Sequence, residues 1–89
     1  MIELLDEKYE LIRDDNCFNL DEIKDRITDY FLAFDYVCGD YAYGKLRLKG
    51  FYDSTNKNAK ARNDIKYLEQ YIKDYCAYGA KIFLLKKAK

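Results

Sequence analysis

The chain has 89 residues, of which 49% are apolar, and its 16 Lys and Arg residues balance its 16 Asp and Glu residues. This length suits one domain, residues 1–89, with no room for a second core. The absence of proline and the low glycine count exclude a disordered or low-complexity chain. No stretch approaches the roughly 20 apolar residues of a membrane helix, and the start lacks the pattern of a signal peptide. We therefore expect a folded, cytoplasmic domain without a membrane partner, and a monomer.

Charge is distributed unevenly along the chain. Residues 1–44 carry 4 basic and 12 acidic side chains, whereas residues 45–89 carry 12 and 4. Such asymmetry marks an interaction surface in some proteins, and in others the two halves neutralise each other in the fold. The sequence leaves both readings open.

The first half predicts a strand and a helix. Tyr9–Arg13 is a short apolar-centred run before a cluster of turn residues. Asn19 is a good helix N-cap, and Glu22 follows at the capping-box offset. The helix is expected to run to Phe34, because apolar residues recur at steps of three and four: Leu20, Ile23, Ile27, Tyr30, Phe31 and Phe34.

The middle of the chain predicts a hairpin. Asp35–Cys38 is a candidate strand, followed by a turn between Gly39 and Gly44. Lys45–Lys49 alternates strictly between basic and apolar side chains, which is typical of a half-buried strand. Residues 52–63 are polar and aperiodic, and indicate a loop.

The last part predicts a second helix and a final strand. Asn63 or Asp64 can cap this helix, and Gly79 suits its C-terminal end. Its apolar stripe comprises Ile65, Leu68, Ile72, Tyr75 and Cys76. A row of tyrosines at the same spacing, Tyr67, Tyr71, Tyr75 and Tyr78, is typical of the edge of a core. Ala80–Leu85 is a compact apolar run, the final strand.

The resulting order, β-α-β-β-α-β, predicts an α+β fold with an antiparallel sheet packed against two helices. The ferredoxin-like topology has this order. In that topology the last strand lies at an edge, whereas Ile82–Leu85 requires cover on both faces, which favours a central position. We expect one core, formed by Leu20, Ile23, Ile27, Phe31, Leu46, Leu48, Leu68, Ile72, Ile82 and Leu84.

Three segments resemble a known family. Asp35-Tyr-Val-Cys-Gly-Asp40 and Leu46-Arg-Leu-Lys-Gly-Phe-Tyr52 resemble the signature of the YutD-like family of small bacterial proteins. Tyr75-Cys-Ala-Tyr-Gly79, followed by a strand with a basic end, is similar to the C-terminal segment of that family. Tyr41-Ala42 stands where a Trp-Gly pair is expected. The resemblance implies a cytoplasmic α+β domain and supplies no activity and no catalytic residues.

The hairpin also carries the leading candidate site. Lys45, Arg47 and Lys49 share one strand face, and aromatic residues lie close by in sequence: Tyr41, Tyr43, Phe51 and Tyr52. Cations beside aromatic rings bind single-stranded nucleic acid through phosphate contacts and base stacking. The competing reading is a solvated strand face. We expect replacement of the three cations with Gln to leave thermal stability nearly unchanged and to abolish binding of the partner.

A second hypothesis is a metal-dependent enzyme that acts on phosphorylated substrates. Asp35, Asp40 and Asp53 lie in or near the hairpin, and carboxylates on neighbouring strand ends can hold Mg²⁺. Turn chemistry explains the same residues without a metal. With no histidine in the chain, Cys38 lacks the usual activating base and is expected to be a buried strand residue, as is Cys76 within its apolar helix stripe. We expect no cofactor and no disulfide.

The leading prediction is therefore a non-enzymatic binding module. It would use the basic and aromatic hairpin face, and its partner would be RNA or an acidic protein. The metal-dependent enzyme is the alternative.

Overall fold

The computed structural model describes residues 2–42, 44–75 and 80–88, with Ala42 by its backbone alone. Five antiparallel strands form one sheet in the order β1-β2-β5-β3-β4. The strands are β1 (Ile2–Leu4), β2 (Glu7–Asp14), β3 (Tyr36–Ala42), β4 (Lys45–Phe51) and β5 (Lys81–Lys87). With two helices between them, this architecture confirms the α+β prediction.

The last strand, β5, lies at the centre of the sheet between β2 and β3. Phe83 and Leu85 point to one face and Ile82 and Leu84 to the other, and all four are buried. The apolar run therefore has cover on both faces, as its composition predicted. The ferredoxin-like order, with the last strand at an edge, is not the order of this sheet.

An N-terminal hairpin was missed by the sequence analysis. Leu4 of β1 pairs with Glu7 of β2, and only Leu5 and Asp6 connect them. Both connecting residues have positive φ, +53° and +64°, which is the two-residue turn that matches the twist of paired strands. Asn-Gly or Asp-Gly is the usual signal for this turn, and Leu-Asp does not provide it.

The first helix is shorter than predicted. α1 (Leu20–Arg26) ends at Ile27, which is extended with ψ of 138°, and a separate 3-10 helix follows at Asp29–Ala33. The β-branched pair Ile27-Thr28 loses rotamer freedom in a helix, which favours the break. The cap prediction is confirmed, because the Glu22 backbone N–H donates to the Asn19 side chain at 3.1 Å. After the break Tyr30 is 67% exposed rather than on the buried stripe.

The second helical region begins where predicted. The Asp64 side chain accepts a hydrogen bond from the Lys66 backbone N–H at 3.0 Å and caps a 3-10 turn, Ile65–Tyr67. α2 (Leu68–Tyr75) follows directly. The predictions for Cys76, Tyr78 and Gly79 lie outside the described residues. Within the described part of the chain, no helix is long and apolar enough to span a membrane.

The helices cover opposite faces of the sheet, so the prediction of one shared core is wrong. α1 packs on one face over a cluster that comprises Leu4, Tyr9, Ile23, Ile27, Phe31, Phe34, Val37, Leu46, Phe83 and Leu85. α2 packs on the other face over Tyr36, Cys38, Phe51, Leu68, Ile82 and Leu84. The alternation of β5 places every second apolar side chain on each face, and this divides the core.

Candidate functional site

The candidate basic residues of β4 lie on the face that carries α2. Lys45, Arg47 and Lys49 alternate with Leu46 and Leu48, which contact the core under α1. The predicted register of this strand is therefore confirmed. The basic face is partly covered, however, because α2 packs beside it.

Arg47 is bound internally. Its guanidinium donates to the Asp40 carboxylate, with Nη2 at 2.6 Å and Nε at 3.2 Å from Oδ2, and Asp40 is only 2% exposed. Nη2 also donates to the Tyr75 carbonyl at the end of α2, at 3.2 Å. A buried carboxylate requires such a partner, so Arg47 is structural as well as basic. Replacing all three strand cations is therefore expected to cost stability, contrary to the expectation from sequence.

Lys49 lies over aromatic rings. Its Nζ is 5.2 Å from the centroid of the Phe51 ring and 5.5 Å from that of Tyr71. The Tyr71 ring contacts Phe51 edge-on at 5.4 Å and stacks on Tyr75 at 5.4 Å with an interplanar angle of 28°. A cation over a ring gains about 0.5–1 kcal/mol at an exposed site. These contacts hold the Lys49 ammonium in place above α2.

The structure brings together few of the aromatic residues that were predicted to join the basic face. Phe51 is fully buried and offers no ring surface for stacking. Tyr41 faces the α1 side, and Tyr52 packs on Phe34 there at 4.7 Å. Tyr43 lies outside the described residues. The rings beside the cations belong instead to α2. From sequence, that row of tyrosines was predicted to form the edge of the core.

Tyr41 is held on the α1 side by a specific contact. Its hydroxyl donates to the Glu22 carboxylate at 3.1 Å. Burial, followed by this hydrogen bond and the nearby negative charge, raises the pKa of Tyr41 to about 12. Tyr41 therefore joins β3 to α1 and does not face the basic residues.

A shallow groove runs between α2 and the loop before it. We call it the α2 groove, and its lining residues are Lys49, Ala61, Arg62, Tyr67, Gln70, Tyr71, Asp74 and Tyr75. Tyr67 is 43% exposed and Tyr75 is 68% exposed. Tyr71 and Tyr75 are four residues apart and lie on one face of α2, and the groove also contains the cations Lys49 and Arg62. Tyrosine and arginine are the residue types that carry much of the energy at protein interfaces.

The three candidate metal ligands are not brought together. The Asp35 carboxylate accepts hydrogen bonds from the Asp53 backbone N–H at 2.8 Å and from Asn56 at 3.1 Å. Asp40 lies five residues further along β3 and is paired with Arg47. Across the described residues, no group of three potential ligands could hold a metal ion. Asp35 therefore organises the loop after β4.

Neither cysteine in the described residues is in a disulfide. Cys38 is 1% exposed and lies in the core under α2, as expected for a buried strand residue. Cys17 is half-buried, and burial together with Asp14 and Asp15 raises the pKa of its thiol. This environment favours the unreactive protonated form of the Cys17 thiol.

The charge asymmetry along the chain corresponds to a spatial one in the sheet. Sheet order places the acidic N-terminal hairpin β1–β2 at one edge and the basic strand β4 at the other. The loop after β4 adds Lys57, Lys60 and Arg62, all exposed. The two edges of the sheet therefore present opposite charge, which is the arrangement expected of an interaction surface.

The fold defines a small α+β protein: a five-stranded antiparallel sheet with one helix on each face. A family model described as "Putative antitoxin YutD-like" matches residues 3–86. The protein "Putative antitoxin YutD" of Bacillus subtilis (strain 168) is 39% identical over 88 residues, 98% of this chain and 97% of that protein. The solution NMR structure of protein yutD from B. subtilis superimposes with a TM-score of 0.81 at 38% identity, covering 100% of this chain and 82% of the other.

This chain belongs to the YutD-like family. The match extends over all three segments that suggested the resemblance, and the related structure supports the same architecture.

Proposed function

We propose that this chain is a non-enzymatic binding module of the antitoxin type, which holds an acidic partner protein on the α2 groove and the adjoining basic face of β4. The relative from B. subtilis carries the name "Putative antitoxin YutD". Antitoxins neutralise toxins, and the simplest route is a direct complex between two proteins. We place that contact on the surface formed by Lys49, Arg62 and the tyrosines of α2.

The observation that carries the proposal is the exposure of an ordered aromatic and basic surface. Tyr75 is stacked on Tyr71 and yet is 68% exposed, and Lys49 lies above the same pair. Such rings offer large contact area at low cost in conformational entropy, because the stack already restricts their rotamers. The net positive loop beside them supports an acidic partner.

The test is capture from nuclease-treated lysate of the source cells with the tagged chain as bait. We expect a discrete protein that is retained after nuclease treatment and whose retention falls with rising salt, because the contact is charged. The bait variant Lys49→Gln/Arg62→Gln is expected to lose that protein. The matched control Lys24→Gln/Arg26→Gln removes the same charge from α1, on the opposite face, and is expected to keep it.

Two results would contradict the proposal. Equal capture by the groove variant and wild type would place the site elsewhere on the chain. Loss of all capture on nuclease treatment, with retention of labelled single-stranded RNA by the bait, would show that the basic face binds RNA rather than protein.

A further inference from the structure

The strand that carries the basic residues is also an edge of the sheet. Among the described strands, β4 has β3 as its neighbour and no strand on its other side. Immediately after β4 that outer side is occupied by the chain itself. The Tyr52 backbone N–H donates to the Asn63 carbonyl at 2.7 Å, and the Ile65 N–H donates to the Tyr52 carbonyl at 2.9 Å. The outer edge therefore already pairs with a neighbouring backbone at Tyr52. The seven residues of β4 continue the same edge.

The two sides of this edge differ in chemistry. On the α2 side, Lys45 is exposed and Lys49 lines the α2 groove. On the α1 side, the Phe34 ring covers Gly50 so closely that an added Cβ would lie 2.2 Å from it. Tyr30 packs on Phe34 at 5.3 Å and is 67% exposed. A single groove straddles the edge, lined by Tyr30, Phe34, Arg47, Leu48, Lys49, Gly50, Arg62, Asn63 and Tyr71.

Charge identifies the occupant of this edge. A second copy paired β4 to β4 would set Lys and Arg side chains opposite one another, and directly opposed like charges destabilise a strand pair. The acidic edge of a second copy is β1, which is only three residues long, and that contact repeats head to tail without closing. An extended segment with carboxylates at every second position matches the basic side chains, and its intervening residues can be apolar.

We propose that the partner protein contributes an acidic extended segment that pairs with β4 as a sixth strand. This inference rests on the function proposed above. Its carboxylates lie beside Lys45 and Lys49 on the α2 side. Its alternate apolar side chains lie against Leu48 and Tyr30 on the α1 side. Main-chain hydrogen bonds supply affinity and the alternating side chains supply specificity, as in other complexes formed by strand addition.

The test uses a seven-residue peptide, matched to the length of β4, in which Glu alternates with Val and one Tyr. The comparison peptide has the same sequence with two consecutive central residues N-methylated, so that neither of its edges can pair in full. Fluorescence anisotropy at low ionic strength measures both affinities for the intact chain. We expect the methylated peptide to bind about tenfold more weakly or worse, because one main-chain hydrogen bond to β4 is lost and the methyl group on that edge hinders close approach of the two backbones.

Amide hydrogen exchange provides a second readout. On addition of the unmodified peptide, alternate backbone amides of Lys45–Phe51 are expected to slow, because only every second residue directs its N–H outward. Equal affinity of the two peptides, or binding that leaves exchange in β4 unchanged, would overturn strand addition. The proposed function would then stand on the lysate capture alone.

Two other outcomes would also overturn the inference. The first is failure of the unmodified peptide to bind. The lysate capture would still test the proposed function independently. Growth of the average mass of the chain alone with concentration in sedimentation equilibrium would show that a second copy occupies the edge.

Discussion

The two faces of the sheet are built differently. On the α1 face, large rings fill the space above glycines: Phe83 covers Gly39 and Phe34 covers Gly50. On the α2 face the buried cluster is smaller, and it is bordered by exposed tyrosines and by cations. Both faces use aromatic residues and both leave a ring at the surface: the exposed Tyr30 packs on Phe34 on the first face, whereas the exposed Tyr75 stacks on Tyr71 near Lys49 on the second.

This difference indicates a division of labour. The α1 face buries Phe31, Phe34 and Phe83, so these rings stabilise the fold, whereas Tyr30 stays exposed. The α2 face holds Tyr75 and Lys49 in defined positions without burying them. Contact of this kind adds little to stability and suits binding. We therefore expect substitutions of the buried rings on the α1 face to have large effects on stability, and substitutions of the exposed residues on the α2 face to have small ones.

The largest effect is expected at the contact between Phe83 and Gly39. Phe83→Ala removes a fully buried ring and is expected to lower the free energy of unfolding by about 3–5 kcal/mol. Gly39→Ala in the wild type would place a methyl group 2.0 Å from that ring and cost about 1–3 kcal/mol. In the Phe83→Ala background the same glycine change is expected to cost much less. Urea denaturation of the four proteins measures the coupling, and strict additivity would show that the ring does not fill this space.

A smaller loss is expected on the α2 face from Arg47→Gln. It leaves the buried Asp40 carboxylate without its guanidinium, and we expect a loss of about 1–3 kcal/mol, moderated because the Arg47 side chain is 45% exposed. The control is Lys45→Gln, two residues along the same strand face, which is expected to change stability by about 0.5 kcal/mol or less. Equal effects of the two changes in urea denaturation would contradict the internal role of Arg47.

The acid dependence of stability tests the cap before α2. The Ser54 hydroxyl, followed by the Lys66 backbone N–H, lowers the pKa of Asp64 below its ordinary value of 3.8. A carboxyl whose folded-state pKa is depressed stabilises the fold above that ordinary value and loses this contribution as pH falls through the lower one. Urea midpoints between about pH 5 and pH 2 are therefore expected to fall more steeply for wild type than for Asp64→Asn. Parallel curves would contradict the assignment.

The smallest stability effect is expected from the groove variant itself. Lys49→Gln/Arg62→Gln is expected to change the free energy of unfolding by about 1 kcal/mol or less, because Arg62 is exposed and the ring contacts of Lys49 are weak. Thermal unfolding beside the control Lys24→Gln/Arg26→Gln checks this. A large loss in the groove variant alone would mean that these cations hold α2 in place and are not available to a partner.

Much of the fold was predictable because its signals are local. The alternation of Lys45–Lys49 and the Asn19 cap depend on neighbouring residues, and the doubly apolar final strand predicted a central position. The division into two cores was not predictable, because it depends on which face each helix covers, a property of the chain path between elements. The internal use of Arg47 was missed for the same reason, since nothing in the sequence indicates that Asp40 is buried beside it.

The candidate site was predictable in its cations but not in its rings. The basic residues were found through strand periodicity, whereas the aromatic neighbours were sought close in sequence. Contact between Lys49 and Tyr71 joins residues from different elements. The helical spacing of the α2 tyrosines was visible in the sequence, but their exposure depends on the 3-10 turn before α2 and on how α2 packs against the sheet.

The most direct test of the division between the two faces is an NMR footprint of the bound partner. The chain, labelled with ¹⁵N, is titrated with the protein captured from the lysate, and backbone amide shifts are mapped onto the structure. The account predicts that the shifted amides cluster in Lys45–Phe51 and Leu68–Tyr75 and leave Leu20–Arg26 unchanged. A footprint centred on α1 or on the β1–β2 hairpin would contradict it.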